Sequence, residues 1–297
     1  MSSRTAGLTA GLASYIFWGL SPVFWKLFDQ ASGLEVLAHR LVWSFFFLLA
    51  VILIQGRRGE VAAVFTDKKT ALMLLLSSIA ISINWGVFII SVNTGHILQA
   101  SLGYYMNPFV SMLFGILIFK EKLNRLQIFA VVLAASGVLI YASGLRSFPW
   151  ASVSLAVSFA AYGALRKHVR VMPIPGLLAE TLIMFPFALG YLAYAEYSGS
   201  GSFGHYSYTF DFLFILSGLV TSAPLLGFAF AVKRLKLITV GILQFTVPTL
   251  HFLLGVFAYS EPFTPVHAAT FSLIWLCVGL FITDAVFQTK KSPSAPL

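Results

Sequence analysis

Ten apolar runs, each long enough to cross a bilayer as a helix, leave this chain few ways to fold. They lie at approximately 7–27, 34–55, 71–92, 97–119, 126–144, 149–167, 175–195, 210–232, 237–259 and 265–287. A helix needs roughly 20 residues to traverse a hydrocarbon core about 30 Å thick. Lipid offers a peptide group no hydrogen bond, so a spanning segment must be a helix or part of a closed barrel. The alternating strands of a barrel are absent here. Charged residues make up 10% of the chain, against about 25% in an ordinary soluble domain. At 59% hydrophobic, there is more apolar surface than a soluble protein of this length could hide. The expected fold class is an all-α integral membrane protein with ten transmembrane helices.

The connections are mostly short and carry Gly, Pro, Asn or charge, as in "DQASG", "KEKLNR" and "SEPFTP". The longest, "YSGSGSFGHYSYTFD", reads as a surface loop. The first run follows Arg4 closely, but it is longer than a signal-peptide core. "SPVFWKLFDQ" offers no small-x-small cleavage site, so a retained helix is expected. The single cysteine, Cys277, permits no intrachain disulfide and no Cys-rich metal site.

Charge orients the spans. With the N-terminus inside and strict alternation, 16 of the 19 basic residues fall on inner segments. Lys26 and Arg146 fall outside, and Arg40 lies within a span. This is the positive-inside pattern, with basic side chains facing anionic lipid heads. It accounts for the net charge of +9 without nucleic acid, for which no basic face interleaved with aromatics is present.

The fourth and ninth runs echo one another. "LGYYMNPFVSMLFGILIFKEKL" at 102–123 returns as "ILQFTVPTLHFLLGVFAYSEPF" at 242–263. Pro108 and Pro248, Leu113 and Leu253, Gly115 and Gly255, and Glu121 and Glu261 are each 140 residues apart. Leu and Gly matches are common among apolar helices; a Pro and a Glu at the same offset are not. "SYIFWGL" at 14–20 and "SFAAYGA" at 158–164 add a weaker match. Five helices is an odd number, so two such halves, 1–145 and 146–297, run in opposite directions through the membrane. Inverted repeats place a substrate site near the midplane and permit alternating access by rocking one half on the other. Pro108 and Pro248 each free a carbonyl, which Asn107 and Gln244 are placed to satisfy; simple bending for packing is the other reading.

An ionisable group inside a span costs about 2.5–3.5 kcal/mol on insertion scales. Arg40 in "EVLAHRLVWS" and Glu180 in "LLAETLIMFP" are two such groups, entering from opposite sides. In the repeat, His39 falls roughly opposite Glu180. Arg40 and Glu180 could face one cavity and bind a polar or zwitterionic substrate, form a structural ion pair, or, for Arg40, snorkel outward. His39 and His251 could titrate or merely pack. Asn84, Trp85, Tyr104 and Asn107, together with Trp18 and Tyr162, suit a pocket for a flat, partly apolar molecule. The candidate substrate-binding residues are therefore Arg40, His39, Glu180, Asn84, Trp85, Tyr104, Asn107, Gln244 and His251. No H-E-x-x-H, P-loop or G-x-S-x-G motif is present, so neither catalysis nor a cofactor or metal is expected. Without an ATP site, any pumping must draw on an ion or substrate gradient.

"YIFWGLSPVFWK", "EVLAHRLVWS", "INWGVFIISVNTGHILQASLGYYMNPFVSMLFG", "AVSFAAYGALRK" and "LLAETLIMFPFAL" resemble the RarD branch of the EamA transporters, in the drug/metabolite transporter superfamily. The resemblance implies two inverted five-helix repeats, both termini in the cytoplasm of a bacterial inner membrane, and export of small metabolites or drugs. Gln99 stands where a Glu is common in that branch, which removes one possible proton carrier. The leading expectation is a secondary transporter of small amphipathic molecules, whose partners are that substrate and membrane lipid. A membrane-embedded enzyme, a non-transporting helper subunit and a lipid-carrier flippase are the alternatives.

Overall fold

The computed structural model describes residues 2–93, 97–143, 148–258 and 265–291, and among these the regular structure is entirely helical. In chain order the helices are α1 (Ser3–Trp25, continuing as a 3-10 turn over Lys26–Phe28), α2 (Gly33–Ile54), α3 (Arg58–Thr66), α4 (Lys68–Asn93), α5 (Ile97–Phe119) and α6 (Arg125–Ala142). There follow α7 (Trp150–His168), α8 (Pro173–Tyr197), α9 (Tyr208–Val232), α10 (Leu237–Gln244), α11 (Thr246–Leu253, with a π-helical turn over Leu254–Ala258) and α12 (Pro265–Lys291). Arg146 and Glu261 lie outside the described residues, as does the side chain of Gln99.

Nine segments among the described residues are long and apolar enough to cross a membrane. The tenth expected span, α7, is helical over 19 residues but is not among them. Its polar content has a physical reason. It packs against α4, α5 and α9, so Ser152, Ser158 and Arg166 are buried in protein and need not be compatible with lipid. The bundle's outer face is apolar, with Leu117, Phe129, Leu139 and Phe187 exposed, as a lipid-facing surface requires. Helix α3 was not expected; it is a short surface element between α2 and α4.

The helix starts are chemically marked. Ser2, Ser32 and Ser207 accept the backbone N–H of Thr5, Glu35 and Phe210, each at 3.2 Å. Asp67 accepts the N–H groups of Lys69 and Thr70 at the head of α4. Asn124 and Gln127 form a reciprocal capping box at α6. The proline pair behaves asymmetrically. Helix α5 runs through Pro108 without interruption, whereas the 237–258 segment breaks at Phe245. Pro248 offers no N–H to the carbonyl of Gln244 four residues earlier, and the break falls there.

The helix starts also repeat. Those at 33, 68, 97 and 125 are followed by starts at 173, 208, 237 and 265. Each is 140 residues on, the offset of the sequence echo.

Close packing depends on small residues. Gly218 of α9 lies against the backbone of Trp43 and Ser44 in α2, where a Cβ would collide with both. The approach lets the Ser44 hydroxyl donate to the Gly218 carbonyl at 3.0 Å. Gly218→Ala is expected to cost about 1–3 kcal/mol by overpacking, read as a lowered melting temperature in detergent. Gly279→Ala, which meets no atom within 4 Å, is the control expected to leave it unchanged.

Candidate functional site

A cavity of about 730 Å³ lies among α1, α2, α4, α5, α9 and the α10–α11 segment, with Phe159 of α7 on its wall. The wall extends to Lys26 and Gly33, exposed residues beside the connection between α1 and α2. Seven of the nine expected residues line it: Arg40, Asn84, Trp85, Tyr104, Asn107, Gln244 and His251.

Arg40 is its main charged group. Nε donates to Thr221 Oγ1 at 2.9 Å. The guanidinium carbon stands 4.4 Å from the ring centre of Trp25 and 4.9 Å from that of Trp85, within cation–π range. The last residue of α1 and the second half of α4 therefore converge on one side chain of α2. Asn84 is held in place by α7, donating to the Leu155 carbonyl at 2.8 Å and to Ser158 Oγ at 3.1 Å. Tyr104 packs edge-on against both Phe88 and His251, and His251 Nε2 lies 3.4 Å from the Trp18 carbonyl oxygen. Gln244 accepts from Ser111 at 3.2 Å. Asn107 Oδ1 is buried without a hydrogen-bond partner.

Glu180 and His39 do not line this cavity. Glu180 accepts the Ser77 hydroxyl, Arg166 Nη1 at 3.4 Å and the Tyr162 hydroxyl at 3.5 Å. Arg166 Nη2 also donates to the Pro173 carbonyl at 3.2 Å. Glu180 is 3% exposed and Arg166 0%, so this is a buried ion pair. It corrects two expectations: Arg166 is not a headgroup-facing charge, and Glu180 does not share the large cavity with Arg40. A void of about 20 Å³ does adjoin Glu180 and shares Ile81, Trp85, Thr221 and Leu225 with the large cavity. His39 lies on another face of α2, between the rings of Phe203 and Phe214 with centres 5.0 and 4.1 Å away. The helix starts at 33 and 173 also pair Glu180 with Arg40 rather than His39.

Sequence reasoning missed Trp25 and Thr221, which hold Arg40, and Arg166, which holds Glu180. It also missed Glu35, buried and accepting both the backbone N–H and the hydroxyl of Ser202, at 2.5 and 2.8 Å. That staple pins the long Gly/Ser-rich connection to α2 at Ser202, while most of its other residues are exposed, as a surface loop. No spacing rule signals Trp25 or Thr221. Glu35 sits in the first turn of α2, behind the Ser32 cap, and no pattern in the sequence singled it out.

Beyond the cavity, away from Lys26, the bundle is closed. Tyr15 meets Phe228 edge-on and Phe228 stacks on Tyr162, with ring centres 6.3 and 5.7 Å apart, and Tyr162 leads on to Glu180. Further along, Glu121 accepts the first N–H groups of α10, from Leu237 at 2.8 Å and Ile238 at 3.0 Å. Lys167 Nζ is 3.6 Å from the same carboxylate.

The family model described as the EamA-like transporter family matches residues 5–143. The uncharacterized transporter YojE of Bacillus subtilis is 44% identical over 294 residues, covering 97% of each chain. Protein RarD of Salmonella typhi is 38% identical over 96% of this chain and 97% of its own. A solved crystal structure with 15% identity superposes with a TM-score of 0.72 over 94% of this chain and 98% of its own, and so shares the fold.

Proposed function

This chain belongs to the EamA-like transporter family, among its RarD-type members, and on that premise we propose that it is a secondary transporter that exports small amphipathic molecules by alternating access through the 730 Å³ cavity. The halves are 1–145 and 146–297, each with five spans, inverted in a bacterial inner membrane with both termini in the cytoplasm. The substrate contacts are Arg40, Asn84, Trp85, Tyr104, Asn107, Gln244 and His251.

The helix packing supports the two halves. Exchanging each helix with its counterpart, α1 with α7, α2 with α8, α4 with α9, α5 with α10–α11 and α6 with α12, turns α4–α7 contact into α9–α1 contact and α5–α7 into α10–α11 against α1. It turns α2–α9 into α8–α4 and leaves α2–α8, α5–α10 and α6–α12 in place. Every one of these contacts is present, as a two-fold axis between halves requires. Basic residues lie at the closed end, which supports reading that end as the inner one; in this proposal the cavity opens outward.

The observation that carries the transport reading is a large cavity closed at one end and walled by aromatic rings around an arginine that has no carboxylate partner among the described residues. Arg40→Ala is expected to reduce flux in proteoliposomes at least tenfold while the purified protein keeps its melting temperature within a few degrees. Full flux in that variant removes Arg40 from the pathway.

A further inference from the structure

We propose that the cavity selects amphipathic carboxylates, an apolar or aromatic body bearing a single carboxylate, and rejects amines of the same shape. This rests on the transporter reading above and assigns its substrate class.

The protein contains two deep arginines and treats them differently. Arg166 receives a carboxylate from within the chain, Glu180. Arg40 receives a hydroxyl and two indole faces, all neutral. No acidic side chain lies on the cavity wall among the described residues; its charged members are Arg40 and Lys26. A cation inside a membrane bundle is expensive and marks a function by default. Both indole rings lie within cation–π range of the guanidinium and accept no hydrogen bond from it, which leaves N–H groups for recognition. Nε is taken by Thr221, and neither terminal nitrogen forms a hydrogen bond to a described residue. Such an edge matches a carboxylate with two parallel N–H donors, a geometry and charge that no neutral group reproduces. Trp18, Phe88, Tyr104 and Phe159 supply ring faces for the apolar body. An ammonium group in the same pose would meet Arg40 with no acidic wall group to compensate it.

Three probes sharing one ring test this: indole-3-acetate, indole-3-acetamide and tryptamine, which carry a carboxylate, a neutral amide and an ammonium. Radiolabelled exchange into proteoliposomes of the full chain is measured against protein-free vesicles, and ligand-induced stabilisation is measured in detergent. The acid is expected to exchange at least tenfold faster than the amide and to raise the melting temperature, with tryptamine doing neither. Arg40→Gln should bring the acid-to-amide ratio close to one. Arg40→Lys, which keeps the charge but loses the two-pronged edge, should give an intermediate ratio. Tryptamine exchanging as well as the acid, or Arg40→Gln retaining the tenfold preference, overturns the inference. Exchange of amide and amine without the acid overturns it too, while leaving the transporter reading standing. No exchange and no stabilisation by any of the three overturns both.

Discussion

Arg166→Met is expected to destabilise the protein by about 3–5 kcal/mol, the usual cost of removing one partner from a buried ion pair. The side chain is fully buried. Without it, Glu180 keeps only the hydroxyls of Ser77 and Tyr162, which cannot neutralise a carboxylate cut off from water. Glu180→Met alone should be similarly damaging, because it strands a guanidinium whose Nε already lacks a partner. The double variant Arg166→Met with Glu180→Met is expected to recover most of the loss. Two thioethers pack in the vacated space, and the Ser77 hydroxyl still donates to the Leu74 carbonyl at 3.0 Å. Unfolding midpoints of all four proteins in one mixed micelle give the double-mutant cycle. A coupling energy near zero would mean that the two charges are held independently, contrary to the geometry.

Much of the architecture was legible because it depends on one-dimensional signals. Run length gave the positions of the long helices, and the 140-residue offset of the echo recurs in four pairs of helix starts. Seven of the nine candidate residues reached one cavity because polar groups within apolar runs seldom face lipid. The failures are three-dimensional. His39 and Arg40 are neighbours in sequence, yet successive residues on a helix point about 100° apart, at 3.6 residues per turn. One packs against the 198–207 connection and the other faces the cavity. The indole cage joins residues 25, 40 and 85, a convergence that only the packed bundle creates. Arg166 looked like a loop cation because it stands beside Lys167 and His168 at the end of a run. Burial of α7 in the bundle turned it inward and also removed the need for that helix to be strongly apolar.

The echo's Gly and Glu have a packing explanation that yields the second large effect: Glu121→Ala is expected to loosen the closed end of the transporter. Helix α5 ends at Phe119; the next residue, Lys120, has a φ of 52° that turns the chain left-handed, and Glu121 N–H donates back to the Gly115 carbonyl at 3.0 Å. That turn throws the carboxylate across to the N-terminus of α10, where two backbone donors and the helix dipole receive it. Gly115 makes the room, since a Cβ there would come within 2.8 Å of Glu121 Oε2. The bond joins the proposed first half to the second at the end away from the cavity mouth. Losing a charged cap of this kind costs about 1–2 kcal/mol, and about 1.4 kcal/mol is a tenfold change in an equilibrium constant. The closed and open populations of that end should shift accordingly. The check is thiol labelling of Ile238→Cys, a buried position beside the latch, in a Cys277→Ala background. Labelling should be about tenfold faster with Glu121→Ala than without it. Gly115→Ala, which displaces the carboxylate rather than deleting it, should accelerate labelling in the same direction. Equal labelling in all three proteins would show that the halves are held together at this end by apolar packing alone.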